Sequence, residues 1–344
     1  MKRREFITLV GGTAALPLAA RAQQVAGRSY SLGVLTGVGR DTPHVGAMFD
    51  ELQRAGFVEG QNLVIIGGFG MRADEFSQQA VRIANSGIDA MYAGGDSGAR
   101  AAQAATRTIP IVTISEDMVA AGLVHSLARP GGNTTGVSIL SSNLNGKRQE
   151  ILIEAVPTAR VIAVLADANI PITPSQLRAL QDAMGHRGVD LVTYTFRTID
   201  EIVPAIDAAK ATGAAAINVL GSPLTSALAA GGQRVIDRTT ALKLPSIYQF
   251  PERADEGGLI AYGPSRIEVW RQMARMLVKV LRGANPADLP VEQPTRFELV
   301  INLRTAKAIG IELPATLVLR ADRVIERVRQ AKLVRSQPVQ VRLK

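Results

Sequence analysis

The sequence predicts an α/β chain built as two doubly wound lobes, each a parallel sheet with helices on both faces. Short apolar runs alternate with amphipathic stretches at the spacing of βα units. The alternation runs from Tyr30 to about Asp117 and restarts at Ala159. A length of 344 residues exceeds one ordinary core and suits two domains.

In the first run, Tyr30–Leu35 reads as a strand leading into the turn Thr36–Thr42. Thr42 and Pro43 have the chemistry of an N-cap and a first-turn proline, and Gly56 stops the helix after about Arg54. Gly37 and Gly39 match half of a dinucleotide fingerprint, but Thr42 stands in place of the third glycine, so no nicotinamide cofactor is expected. Residues 63–66 form the next strand and 73–85 the next helix. Ile88 to Ala93 is apolar, as a strand covered on both faces should be. Gly94-Gly95-Asp96-Ser97-Gly98 then makes a turn, and an alanine-rich helix covers 99–107 ahead of Pro110. Free N–H groups and the positive end of the helix dipole would face whatever sits above that turn. Residues 110–114 are another strand, ending at Ser115-Glu116-Asp117.

Beyond it, 118–127 reads as a helix, 129–133 as a sharp turn, 135–140 as a strand and 147–155 as a helix. After the restart come strands at 161–165, 190–194, 214–219 and 245–248, with helices at 174–186, 199–210 and 224–229. Gly221-Ser222-Pro223 holds the place in the second run that Gly94–Ser97 holds in the first. Ser222 is either the N-cap of its own helix or a ligand-facing hydroxyl. A strand opened by glycines covers 257–263. The helix at 265–282 repeats apolar residues at helical spacing, which makes Trp270 a core residue before a ligand platform. Residues 283–296 are a proline-rich connector. A strand at 297–301, a helix at 303–309, and a turn with a final helix at 314–329 complete the series.

Charge distribution removes one class of function. The net charge is +9, but residues 1–22 carry +3 and 327–344 carry +6, which leaves the body neutral. No basic stripe is interleaved with aromatics, so nucleic acid is not an expected partner. With no cysteine there is no disulfide, thiolate nucleophile or lipidated cysteine. The three histidines, His44, His125 and His186, match no metal spacing, and neither metal nor cofactor is expected. Residues 1–22 have the anatomy of a cleavable export signal: Lys2-Arg3-Arg4, an apolar run over 7–18, and Ala20-Arg21-Ala22 before the expected mature start at Gln23. Arg3-Arg4-Glu5-Phe6-Ile7 also resembles a twin-arginine motif. A periplasmic protein with a basic tail at 331–344 is the expectation.

The stretch 281–326, LRGANPADLPVEQPTRFELVINLRTAKAIGIELPATLVLRADRVIE, closely resembles the solute-binding proteins of ABC transporters related to the tryptophan-binding type. The runs VAAGLV at 119–124, SLARPGGN at 126–133, TGVS at 135–138, GKR at 146–148 and GGL at 257–259 agree with it, as do Tyr262 and Gly263. This resemblance implies a type I periplasmic-binding fold, with two lobes joined by three hinge crossings and a small solute held between them. The expected lobes are 29–118 plus 259–290, and 119–258 plus 291–330. Implied solute contacts lie on the matching loops: Thr36, Asp41, Thr42, Gly95, Asp96, Ser97, Ser115, Glu116, Ser138, Gly221, Ser222, Tyr248, Phe250 and Tyr262. Ser97 and Ser222 would hold an acceptor group, Asp96 or Glu116 an amine, and Tyr248, Phe250 or Tyr262 an apolar or aromatic part. The chain departs from the usual family turns at Gly95-Asp96-Ser97 and at Ser115-Glu116-Asp117-Met118.

The implied function is capture of a small polar or aromatic solute, such as an amino acid, by a non-enzymatic monomer that delivers it to a membrane permease. Two other readings use the same residues. Gly95-Asp96-Ser97-Gly98-Ala99 partly matches a nucleophile elbow, which would make Ser97 a hydrolase nucleophile, but no histidine follows His186 to complete a triad. A periplasmic ligand sensor on the same fold is the other.

Overall fold

The structure, a computed structural model, describes residues 28–140, 142–170, 173–184, 188–225 and 231–326. The expected signal at 1–22, the basic tail at 331–344 and His186 lie outside the described residues. In chain order the strands and helices are β1 (Tyr30–Leu35), α1 (Pro43–Arg54), β2 (Leu63–Gly68), α2 (Phe76–Ala84), β3 (Ala90–Gly94), α3 (Gly95–Ala105), β4 (Ile111–Ser115) and β5 (Thr134–Ser138). There follow α4 (Ser142–Ala155), β6 (Val161–Asp167), α5 (Thr173–Met184), β7 (Asp190–Phe196), α6 (Ile202–Ala211), β8 (Ala216–Val219), α7 (Gly231–Ala241), β9 (Ser246–Tyr248) and α8 (Glu252–Asp255). The series ends with β10 (Ile260–Gly263), α9 (Arg266–Leu281), β11 (Glu298–Asn302), α10 (Leu303–Ile309), α11 (Ala315–Leu319) and β12 (Arg323–Ile325).

The chain divides into two compact units. One holds the residues up to Ser115, then Gly122–Val137 and Trp270–Glu292; the other holds Glu116–Ala121, Ser138–Val269 and the residues from Gln293 onward. This division departs from the expected lobes by a few residues at 116–118 and 291–292, and in two longer stretches. Residues 122–137 go with the first unit because β5 joins its sheet, and 259–269 go with the second because β10 pairs with β9 and β11. Within the proline-rich stretch the chain passes from the first unit to the second after Glu292.

In the first unit the sheet order is β2-β1-β3-β4-β5, and β1 runs parallel to β2 and β3, as β3 does to β4. Alternation along the strands sorts side chains to two faces. Leu35, Met91, Ala93 and Ile111 cluster with Phe76, Ala80 and Ile83 of α2 and Ala102 of α3. Tyr92, out of phase with Met91, meets Trp270 of α9 edge-on at 5.2 Å, and His44 of α1 lies 4.9 Å from Trp270. Trp270 is therefore buried core, as its helical spacing predicts.

The second sheet has the order β12-β11-β10-β9-β8-β6-β7, parallel except where β10 meets β11. Its faces separate residue by residue. Ala163, Leu165, Ile217, Val219, Ala261 and Val300 pack with α6 and α7, while Ile162, Ala216, Ile260, Leu299 and Ile301 pack with α4, α10 and α11. Both faces are covered, which is why these strands read as continuous apolar runs.

Three expected elements take other forms. Residues 118–127 make a single turn rather than a helix: Asp117 Oδ1 accepts from Val119 N–H (3.1 Å) and Ala120 N–H (3.0 Å), Ala121 N–H closes on Asp117 C=O, and Gly122 then adopts φ +66°. The helix expected at 224–229 is a 3₁₀ turn at Pro223–Thr225, its remainder lying outside the described residues. The helix of this region is α7, whose opening Gly231-Gly232 packs against Leu224 and the Arg253 guanidinium. In place of a helix over 314–329 stand α11 and β12, the latter held by parallel pairing of Arg323–Ile325 with Val300–Asn302.

Candidate functional site

Both units share one winding. In the first, β2 and β3 flank β1; in the second, β7 and β8 flank β6. The chain order reverses between the first and third strands of each unit, and ligands of open α/β sheets bind beyond the carboxyl ends of strands at such a switch point. The turns that follow β1 and β3, and those that follow β6 and β8, therefore define the candidate site in each unit. The sequence correspondence between Gly94–Ser97 and Gly221-Ser222 is thus a topological one.

In the first unit, Gly95 (φ +70°) opens α3, so Asp96, Ser97 and Gly98 form its first helical turn rather than a loop before it. Asp96 is half-buried and Oδ1 accepts from the Ser115 hydroxyl at 2.5 Å, which ties the turn after β3 to the end of β4. Ser97 is exposed. Thr36 is buried, and its hydroxyl accepts from Val38 N–H (3.1 Å) and bonds the Tyr92 phenol. Burial pushes the Tyr92 phenol well above its ordinary value, with Thr36 pulling it back. Thr42 occupies the N-cap position of α1 with Pro43 behind it, yet its hydroxyl donates to Gly39 C=O (2.9 Å) and caps no N–H. Asp41 is exposed. The structure thus brings Asp96 and Ser115 together, whereas Thr36 serves the interior.

In the second unit, Ser222 donates to Asp167 Oδ2 at 2.6 Å and accepts from Leu224 N–H at 3.0 Å. Its hydroxyl joins the turn after β8 to the end of β6 and caps its own short turn. Gly221, Ser222, Tyr248 and Phe250 line one cavity of about 20 Å³ together with Gln249 and Arg253. Tyr248 is 3% exposed, bonds Thr239 through its hydroxyl (3.2 Å) and belongs to the core, and burial raises its phenol pKa. Phe250 is half-buried under the Arg266 guanidinium, 5.4 Å from its ring centroid. Tyr262 is half-buried against the α4 face. Ser138 is fully buried and accepts from Met118 N–H at 3.2 Å, which anchors the 118–121 turn.

Glu116 is not an isolated carboxylate. Gln249 Nε2 donates to Glu116 Oε1 at 2.9 Å, and the fully buried Arg148 of α4 supplies the opposite charge. Arg148 donates to Tyr262 C=O (3.2 Å) and to Asn145 Oδ1. Burial lowers its pKa to about 10, with Glu116 and Tyr262 opposing the shift, so the guanidinium stays charged at neutral pH. Sequence reasoning missed Asp167, Arg148 and Gln249 as site residues. Asp167 has a signal in a carboxylate closing an apolar strand, and Gln249 stands between the expected contacts Tyr248 and Phe250.

Among the described residues no group of three or more His, Cys, Asp or Glu is placed to hold a metal ion. No helix among them is long and apolar enough to cross a membrane. Ser97 makes no hydrogen bond to a histidine among the described residues, and the hydrolase reading finds no support.

Residues 35–325 match the family model described as ABC transporter substrate binding protein. The chain is 28% identical over 225 residues to a tyrosine-binding protein of Clostridioides difficile (strain R20291), a match covering 65% of this chain and 64% of that relative's length. Among solved structures, a conserved domain protein from Vibrio cholerae O1 biovar eltor is 25% identical, with a TM-score of 0.78 over 86% of this chain and all of that one. An ABC domain from Streptococcus pneumonia, solved in complex with L-Trp, is 23% identical with a TM-score of 0.75 over 86% of this chain and all of that one, which shows a shared fold.

Proposed function

Since the chain belongs to the ABC transporter substrate binding protein family, we propose that it captures an aromatic amino acid and delivers it to the permease of an ABC importer. The observation that carries this is the pair of polar turns at the two switch points, Asp96 with Ser115 and Ser222 with Asp167. In the first unit Asp96 and the exposed Ser97 can hold a small polar group by hydrogen bonds, with no bond broken, and in the second the Ser222–Asp167 bond fixes the shape of the corresponding turn. The names of the relatives, one tyrosine-binding and one solved with L-Trp, support an aromatic amino acid over other small solutes.

In this reading Asp96 takes the solute ammonium through its carboxylate. The exposed Ser97 hydroxyl and the N–H groups opening α3 hold an acceptor such as a carboxylate. Phe250 and Tyr262, both half-buried, offer aromatic surface. Glu116 and Ser222 act through the partners they already hold. The protein works outside the cytoplasm as a monomer, exported by the twin-arginine-like signal and cleaved after Ala22.

Calorimetric titration of the chain from Gln23 with L-tyrosine and L-tryptophan tests the assignment of Asp96. A hydrogen bond to a charged group contributes about 1.5–3 kcal/mol, so Asp96→Ala should weaken binding at least about tenfold. Unchanged affinity in a folded variant removes Asp96 from the site.

A further inference from the structure

Resting on the capture of an aromatic amino acid, we propose that Gln249 Oε1 is the acceptor for a ring-borne donor, the phenol O–H of tyrosine or the indole N–H of tryptophan. On this assignment Gln249 is the residue that selects these solutes over phenylalanine.

The orientation of its amide is fixed by chemistry. A carboxylate oxygen only accepts, so the bond to Glu116 Oε1 must come from the Gln249 NH₂ group, and Oε1 points the other way. Glu116 is in turn positioned beside the charge of Arg148, which is locked by Asn145 and the Tyr262 carbonyl. Arg148 and Glu116 are thus positioning residues for the amide.

Oε1 is directed at the backbone of Gly221, where a Cβ would overlap it and would also lie 3.2 Å from Glu116 Oε1. Gly221 lacks the side chain that would fill this place. Gln249 is 3% exposed, and its Oε1 is buried with no hydrogen-bond partner among the described residues. A buried acceptor of this kind selects for a donor.

The surroundings specify what kind of donor. Val219, Tyr248 and Phe250 give the cavity an apolar wall, and its volume of about 20 Å³ suits one small polar tip. A ring presenting one N–H or O–H from an otherwise apolar edge fits that combination. Sites built to bond a substrate donor reject the analogue lacking it far more strongly than apolar pockets reject one methylene.

The test is the ratio of dissociation constants for L-phenylalanine and L-tyrosine, and for L-phenylalanine and L-tryptophan, by calorimetry. In the wild-type chain both ratios should exceed about tenfold. The size-conserving Gln249→Met variant should bring both close to one while leaving phenylalanine affinity unchanged or improved. A merely structural loss would weaken all three solutes alike. Gly221→Ala, which displaces the amide without removing it, should also collapse the ratios. Retention of the wild-type ratios in folded Gln249→Met overturns the proposal, as does a wild-type chain that binds the three solutes equally. A wild-type chain that binds no aromatic amino acid overturns the underlying reading, and this inference with it.

Discussion

Arg148 has 0% exposure, and the carboxylate of Glu116 with hydrogen bonds to Asn145 and the Tyr262 carbonyl offsets the cost of burying its charge. Removing one member of a buried ion pair strands the other and costs about 3–5 kcal/mol, while replacing both is far milder. Arg148→Met should therefore lower unfolding stability by about 3 kcal/mol or more in urea denaturation. The double variant Arg148→Met with Glu116→Gln should recover much of that loss, because the two residues are coupled. Additive losses would show that Arg148 and Glu116 do not act as a pair. The same reasoning revises the part expected of Glu116: its charge is already balanced, so it is a poor sole partner for a solute ammonium.

At the level of elements, the turn after β8 is held by the protein's own groups. Ser222 uses its proton on Asp167 and accepts from Leu224 N–H, so its hydroxyl is largely committed. Ser222→Ala should cost about 1–2 kcal/mol of stability, through the lost cap and the lost donor to a buried carboxylate. Thermal unfolding would register this, while solute affinity should change little. A large loss of affinity without loss of stability would return Ser222 to direct solute contact.

The strands were legible because burial on both faces leaves continuous apolar runs, as in Ala90–Gly94 and Val161–Asp167. Leu303–Ile309 was legible to the residue, since Asn302 caps its first turn and Gly310 ends it in the left-handed region. The misread elements depend on distant partners. The apolar run at 119–124 resembles a helix until Asp117 and Gly122 close it after one turn. The strand at Arg323–Ile325 exists through pairing with β11, and α7 opens with two glycines that read locally as a break. The site suffered similarly: Gln249 and Glu116 are 133 residues apart, and no local pattern joins them.

For the molecule as a whole, the two units repeat one winding, and each places a bonded polar pair at its switch point. That repetition, with the family match over residues 35–325, is the basis for solute capture as the central claim. Anything that binds the native state alone stabilises it by mass action, by about 2.7 kcal/mol at a hundred times its dissociation constant. The most direct measurement is a calorimetric titration of the chain from Gln23, stripped of carried-over solute by unfolding and refolding, with L-tryptophan and L-tyrosine. The account predicts saturable binding of one solute per chain and a matching rise in unfolding temperature. Absence of both heat and stabilisation for every aromatic amino acid, in protein shown to be folded, would contradict it.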